Sequence, residues 1–335
     1  MELRAAKASG LVGGAWGASI GGRVRFMVLQ RVTEGGVGQL GRLLERDKKQ
    51  TQENVEFIFN SARNKWAIRE LPKTIVNISS LLMLDLPNNA IAGCLPMDLC
   101  YSILGLQRLS LSYNQFNGEI PDSLSHCKSL LLVSLSNNYF TGSIPRDIGN
   151  LSLLQEFYLG RNNLKGQLPK TVFNISSLVS FDILYNEIAG SLPADMCYLL
   201  PMLKTIAISV NQFTGQIPSS LPRCESLQYI ALSNNKFTGI IPQDIGNLSM
   251  LQTVYLAENQ LTGTIPNSIS NSSNIISLDL GSNMLTGNIT SHASILIFAA
   301  AQHLHNISVA FTSNYRLSNF SSLAVEVRLP DMLEC

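Results

Sequence analysis

One asparagine returns at an almost fixed interval through the middle of the chain: Asn89, Asn114, Asn138, Asn162, Asn186, Asn211, Asn235, Asn259 and Asn283, in steps of 24 or 25 residues. Five and three residues before each stands an apolar pair, from Leu84 and Leu86 through Phe157 and Leu159 to Leu278 and Leu280. Four residues after each is a glycine, from Gly93 to Gly287. Seven after comes a proline in eight of the nine turns, with Thr290 the exception. At a background glycine frequency of about 7%, nine in succession have a chance probability of order 10⁻¹⁰. No unit of this length can bury its own apolar face, so the turns must stack on one another as a curved solenoid.

Each repeated position has a physical task. Apolar residues alternating at period two make a short strand with one buried face. The asparagine satisfies backbone groups where the chain leaves that strand and turns, as a ladder through successive coils. Glycine allows a tight bend or a positive φ, and the following Ile-Pro or Leu-Pro pair fixes an extended segment. A second apolar set, such as Ile148, Leu151 and Leu154, closes the coil on its convex side.

The pattern L-x-x-L-x-L-x-x-N-x-(F/L)-x-G-x-(I/L)-P, as in residues 106–121, resembles the plant-type leucine-rich repeat. The text of residues 144–169 closely resembles ectodomains of plant leucine-rich-repeat receptor-like kinases, notably those that sense microbial patterns. The resemblance covers roughly residues 71–290. It implies an α/β repeat solenoid: a right-handed superhelix with short parallel strands on the concave side and 3-10 or short helices on the convex side. A plant-type second sheet, formed by the L-x-G-x-I-P stretch, is implied by the resemblance alone.

A longer period overlies the first. Asn77-Ile78-Ser79-Ser80-Leu81 recurs as Asn174-Ile175-Ser176-Ser177-Leu178, and Cys100 and Cys127 recur at the same offset of 97 as Cys197 and Cys224. Four turns copied as a block account for this. Cys127 and Cys224 occupy the buried slot that Leu151 and Leu248 fill in other turns, and Cys100 and Cys197 lie one turn earlier. Bridges Cys100–Cys127 and Cys197–Cys224 are geometrically allowed, and free buried thiols are the alternative. Cys94 and Cys335 have no evident mates.

Outside the repeats the pattern fails. Residues 1–50 read as an atypical leader, 51–290 as the repeat domain with a degenerate first turn, and 291–335 as a decayed repeat and irregular tail. Gly13-Gly14-x-x-Gly17 lacks the Lys-Ser/Thr of a phosphate loop. Gln39 to Arg63 reads as a charged helix, and Val309, Phe311 and Asn314 as one decayed turn. No cysteine precedes Cys94, so the family's disulfide-bonded N-terminal cap is absent.

Charge excludes several roles. Lys+Arg 24 against Asp+Glu 23 gives a net charge of +1, which offers no footprint for nucleic acid or an anionic membrane. The longest apolar run, Ile295 to Ala301, falls far short of the roughly 20 residues of a bilayer-spanning helix. The pair His303-x-His305 has no cysteine or carboxylate nearby and makes a poor metal site. Kinases of the family carry a Gly-rich loop with its strand Lys, H-R-D and D-F-G; none is present here, so no catalysis, cofactor or metal is expected.

Eight Asn-x-Ser/Thr sequons occur, at Asn77, Asn150, Asn174, Asn247, Asn271, Asn288, Asn306 and Asn319. The first five share one repeat phase, on the convex surface, where glycans leave the concave sheet clear. The concave outward positions are small and neutral in most turns, as at Ser110, Ser134 and Ser233. In the central turns they change to Glu156, Tyr158 and Arg161, then Asp182, Tyr185 and Glu187, then Tyr229, then Tyr255 and Glu258. Tyrosine and arginine among carboxylates is the chemistry of protein recognition. Taken with the resemblance, it implies an extracellular ligand-recognition module at the plasma membrane, binding a peptide or protein with a co-receptor kinase as second partner, in immune or developmental signalling. A secreted inhibitor of pathogen cell-wall hydrolases and a truncated receptor relic would share the same repeats.

Overall fold

The computed structural model describes residues 70–71 and 73–291, together with the strands Trp16–Ser19, Arg23–Met27, Asn54–Ile58, Leu296–Ile297 and Ile307–Phe311. Through the repeats the chain winds as nine coils, each built on one of the recurring asparagines. Every coil contributes a short strand to a parallel sheet, from Leu81–Asp85 in the first coil to Ser277–Asp279 in the ninth. Leu84, Leu109, Val133, Phe157, Phe181, Ile206, Ile230, Val254 and Leu278 stand opposite one another from coil to coil. This register places the buried residue of every strand over its neighbour, and all nine are essentially inaccessible to water.

After the asparagine corner the chain forms a second set of parallel strands, in one run of three from Ala92–Cys94 to Tyr139–Thr141 and another of seven starting at Lys165–Gln167. Two backbone bonds, Asn163 N–H to the Phe140 carbonyl and Lys165 N–H to the Gly142 carbonyl, both at 2.8 Å, still cross the break between them. The convex side carries 3-10 turns such as Arg146–Asn150 and short helices such as Met196–Leu199. Ile148, Leu151 and Leu154 are fully buried beneath them. Between the layers, Phe116 stacks on Phe140 at 6.1 Å, Phe157 on Phe181 at 6.0 Å and Phe213 on Phe237 at 6.2 Å between ring centroids.

The asparagines bond two coils at once. The Asn138 side-chain amide donates to the Leu135 carbonyl of its own coil and to the Leu111 carbonyl of the preceding one, both at 3.0 Å. Its Oδ1 accepts the Phe116 N–H at 3.0 Å. Asn114, Asn162, Asn186, Asn211, Asn235, Asn259 and Asn283 repeat this pattern. Three buried backbone groups per corner are thereby satisfied by one side chain. Just before each asparagine the chain takes a positive φ of 50° to 57°, at Asn88, Tyr113, Asn137, Arg161, Tyr185, Val210, Asn234, Glu258 and Ser282. On the convex side Gly149 is required for a different reason: a Cβ there would enter the van der Waals shell of the Thr171 carbonyl oxygen in the next coil.

Cys100 and Cys127 are disulfide-bonded, with Cα atoms 5.2 Å apart, and so are Cys197 and Cys224, at 5.0 Å. Each bridge staples adjacent coils on the convex side; Cys94 is free and exposed.

Two expectations are corrected. Within Gln39 to Arg63, expected as a helix, Asn54–Ile58 is a strand paired in parallel with Leu81–Asp85; the alternation of Val55 and Phe57 is a strand pattern that the surrounding charges obscure. Within residues 1–50, Trp16–Ser19 and Arg23–Met27 form an antiparallel pair. Val309 and Phe311 do not continue the concave sheet: Ile307–Phe311 pairs with the end of Met284–Ser291 in the second sheet. The His303 and His305 pair and Cys335 lie outside the described residues.

Candidate recognition face

The same register that buries one residue of each strand turns its neighbours outward. Glu156, Ser180, Thr205, Tyr229, Thr253 and Ser277 face the concave side in one line, and Tyr158, Asp182, Ala207, Ala231, Tyr255 and Asp279 in a second. Arg161, Tyr185 and Glu258 stand in a third line, at the positive-φ corners. A left-handed backbone at a non-glycine residue costs roughly 1–2 kcal/mol, so these three side chains are presented from strained positions fixed by the coils around them.

In the fourth and fifth coils the outward side chains touch one another. The Tyr158 hydroxyl donates to Glu156 Oε2 at 3.0 Å, and the Arg161 guanidinium lies 4.4 Å from the centre of the Tyr185 ring, a cation–π contact. Asp182 Oδ1 accepts the Leu184 N–H at 2.9 Å. Burial pushes the Asp182 carboxyl up to about 6, against the opposing influence of the Leu184 N–H and of Arg161, both of which favour the carboxylate. Burial likewise raises the Tyr158 and Tyr229 phenols to about 12. Both therefore remain protonated hydrogen-bond donors near neutrality.

Towards the last coils, Tyr229 and Tyr255 meet edge to face with centroids 5.9 Å apart, and the Tyr255 hydroxyl lies 2.9 Å from Ser277 Oγ. Asp279 is held above the usual carboxylate range, chiefly by burial; the Gly281 N–H opposes the shift and Glu258 adds to it.

The structure thus brings Glu156, Tyr158, Arg161, Asp182 and Tyr185 into one cluster, and Tyr229, Tyr255 and Glu258 into a second a few coils on. Glu187 belongs to neither: it lies in Glu187–Gly190 of the second sheet, opposite Lys165. Two further concave groups share the offset of Tyr158 and Asp182 and were not singled out. Asp279 stands in the Tyr158–Asp182 line, four residues before its asparagine, and that offset is its signal. Asp85 pairs with Arg108 at 3.4 Å, one coil apart in adjacent outward lines.

On the convex side, Asn77, Asn150, Asn174 and Asn247 each end a 3-10 turn and are exposed. Asn271 ends the helix Asn267–Asn271, and Asn288 lies in Met284–Ser291. Asn306 and Asn319 fall outside the described residues. No helix among the described residues is long and apolar enough to cross a membrane.

Comparisons with known proteins agree with this architecture. Leucine-rich-repeat family models match residues 105–127, 129–151 and 201–261. No curated relative matches by sequence. Among solved structures, the chain is similar to the leucine-rich-repeat ectodomain of the plant membrane receptor kinase GASSHO1/SCHENGEN3 from Arabidopsis thaliana in complex with CASPARIAN STRIP INTEGRITY FACTOR 2. That match has 32% identity and a TM-score of 0.64, over 76% of this chain and 32% of the other. It is also similar to the Arabidopsis receptor kinase HAESA in complex with the peptide hormone IDA and the co-receptor SERK1, with 29% identity and a TM-score of 0.62, over 70% of this chain and 38% of the other. The chain therefore spans about a third of the length of these two structures. A plant ice-binding protein is similar at 26% identity and a TM-score of 0.54, over 65% of this chain and 69% of that one.

Proposed function

We propose, from the premise that this chain is a plant-type leucine-rich-repeat protein, that its concave face recognises a peptide ligand as part of a receptor-like protein. The observation that carries this reading is the cluster of Glu156, Tyr158, Arg161, Asp182 and Tyr185, in side-chain contact across two adjacent coils of the concave sheet. Tyrosines held by neighbouring carboxylates and an arginine stacked on an aromatic ring provide contact area and directed hydrogen bonds at low entropic cost. On this reading the role of the face is binding. HAESA, bound to a peptide hormone and a co-receptor, supports a peptide ligand and a second receptor chain as partners.

The test is affinity. Peptides retained by the protein from a displayed random decapeptide library are measured against Tyr158→Ala, Arg161→Ala and, as surface control, Ser134→Ala. Losses of at least about 1 kcal/mol at the first two and none at the third mark a hot spot. Equal affinities in all three folded variants remove the concave site.

The receptor reading places the chain at the outer face of the plasma membrane, glycosylated on its convex side, in immune or developmental signalling. Expression in plant cells behind a signal peptide, followed by endoglycosidase treatment and mass analysis, is expected to show glycans on several of Asn77, Asn150, Asn174, Asn247 and Asn271. Unchanged mass at all five tells against passage through the secretory pathway.

One observation favours a second reading. Thr214, Thr238, Thr262 and Thr286 are exposed on the second sheet, each donating to a glycine carbonyl of the preceding coil at 3.2–3.3 Å. Such a regular hydroxyl row suits adsorption to an ordered lattice, and the similarity to a plant ice-binding protein supports it. Ice-recrystallisation assays on wild type and Thr238→Val with Thr262→Val decide the matter: no inhibition by wild type, or equal inhibition by both proteins, sinks it.

A further inference from the structure

The charges along the concave face are ordered, and the order specifies the ligand more closely than the reading above, on which this inference rests. Arg161, exposed at its corner and stacked on Tyr185, puts a cation at the fourth coil; of the carboxyl groups beside it, Glu156 accepts from the Tyr158 hydroxyl and Asp182 from the Leu184 N–H. The other concave cation, Arg108, is already engaged by Asp85 at 3.4 Å. Four coils beyond Arg161, Glu258 stands at the equivalent corner, exposed, with Asp279 in the next strand. Burial chiefly raises the Asp279 carboxyl, and nearby Glu258 adds to that rise. Among the described residues neither has a cationic partner in an ion pair. Between these poles the line from Asp182 to Tyr255 is filled by Ala207 and Ala231, both buried, whose methyl groups leave the surface above them low. Tyr229 and Tyr255 flank this floor edge to face.

We infer that the concave face takes an extended peptide lying across the coils, with an acidic residue over Arg161, small uncharged residues over Ala207 and Ala231, and a basic residue over Glu258 and Asp279. Strand spacing sets its length. Four steps of about 4.8 Å separate the two poles by roughly 19 Å, and an extended chain rises about 3.3 Å per residue, so the two ligand charges lie about six residues apart. An acidic side chain meets Arg161 as a charge-assisted pair, and a lysine or arginine meets two carboxylates at the other end. An acidic side chain over Glu258 and Asp279 is repelled, which gives the face selectivity as well as affinity.

The experiment selects a displayed random decapeptide library on the full chain and then on the charge-exchanged variant Arg161→Glu with Glu258→Arg. Wild type is expected to enrich peptides carrying one Asp or Glu and one Lys or Arg five to seven residues apart. The exchanged variant should bind those peptides at least tenfold more weakly and prefer versions with the two charges interchanged. If the exchanged variant does not fold by circular dichroism, the neutral variants Arg161→Gln and Glu258→Gln replace it, and each should weaken the selected peptides about tenfold. Enriched peptides that bind the concave face without this spacing, or that ignore both sets of substitutions, overturn the charge order while leaving peptide recognition intact. If wild type retains no peptides at all, peptide recognition fails and the charge order with it.

Discussion

Val210 holds a φ of 56° at a corner where three other coils place asparagine. A β-branched side chain in the left-handed region is a steric outlier, whereas asparagine tolerates that region through local hydrogen bonding. Val210→Asn is therefore expected to stabilise the chain by about 1 kcal/mol, read as a rise of about 2–4 °C in melting temperature; an unchanged or lower midpoint contradicts the corner geometry. Asp182 makes a second prediction at this scale. Its carboxyl rises from 3.8 to about 6 on folding, so between those values the folded chain holds a proton that the unfolded chain has lost. Stability then falls as pH rises through this window, the reverse of an ordinary ion-paired carboxylate. Asp182→Asn should remove that part of the slope in denaturation curves recorded from pH 4 to pH 7; an identical slope in both proteins tells against the buried environment.

At the level of the strand, Leu159 belongs to the inward line of the fourth coil and is fully buried. Leu159→Ala removes its contacts to both neighbouring coils and is expected to cost about 2–5 kcal/mol in denaturant unfolding. An unmoved midpoint would show that the strand register differs. The disulfides act between elements rather than within one. Each closes a loop of 27 residues, so Cys100→Ala with Cys127→Ala should lower stability by roughly 3–4 kcal/mol, and removal of the second bridge should add to it. Equal stability of the wild type and the first double variant would mean that the bridge constrains nothing the stack does not already fix. The inward pair and the asparagine were legible in the sequence because each recurs with one meaning. The positive φ before the asparagine was less legible, because three of its nine residues are asparagine and the rest range from Arg161 to Val210. Neighbouring coils impose that conformation, not the local residue. The clustering of Tyr158, Arg161, Asp182 and Tyr185 follows from strand order alone, whereas the assignment of Glu187 to the second sheet depends on where the corner ends.

Over the whole molecule, the 97-residue offset makes a prediction of its own. Deleting residues 114–210 joins the second coil to the sixth in register and removes Cys127 and Cys197 together. Cys224 then occupies the place of Cys127, and the shortened chain is expected to fold as a solenoid with a new Cys100–Cys224 bridge, detectable by peptide mass mapping under non-reducing conditions. Free thiols at both positions in folded protein would show that the two blocks are not interchangeable. The spacing made this modularity visible, while the strand at Asn54–Ile58 was missed because, although Asn60 stands three residues after Phe57, the glycine that follows a coil's asparagine is replaced there by Asn64.

The asparagine ladder also gives the stack a direction in time. Each side chain reaches backwards, donating to a carbonyl and accepting an N–H of the coil before it, so a coil's corner is completed only by the coil that follows. A ribosome delivers coils in that same order, one every 1–5 seconds or so at about 5–20 residues per second, while strand pairing takes microseconds. Every newly emerged asparagine thus finds its acceptor already in place, and the growing tip, rather than the whole stack, is the one corner waiting for its bonds during synthesis.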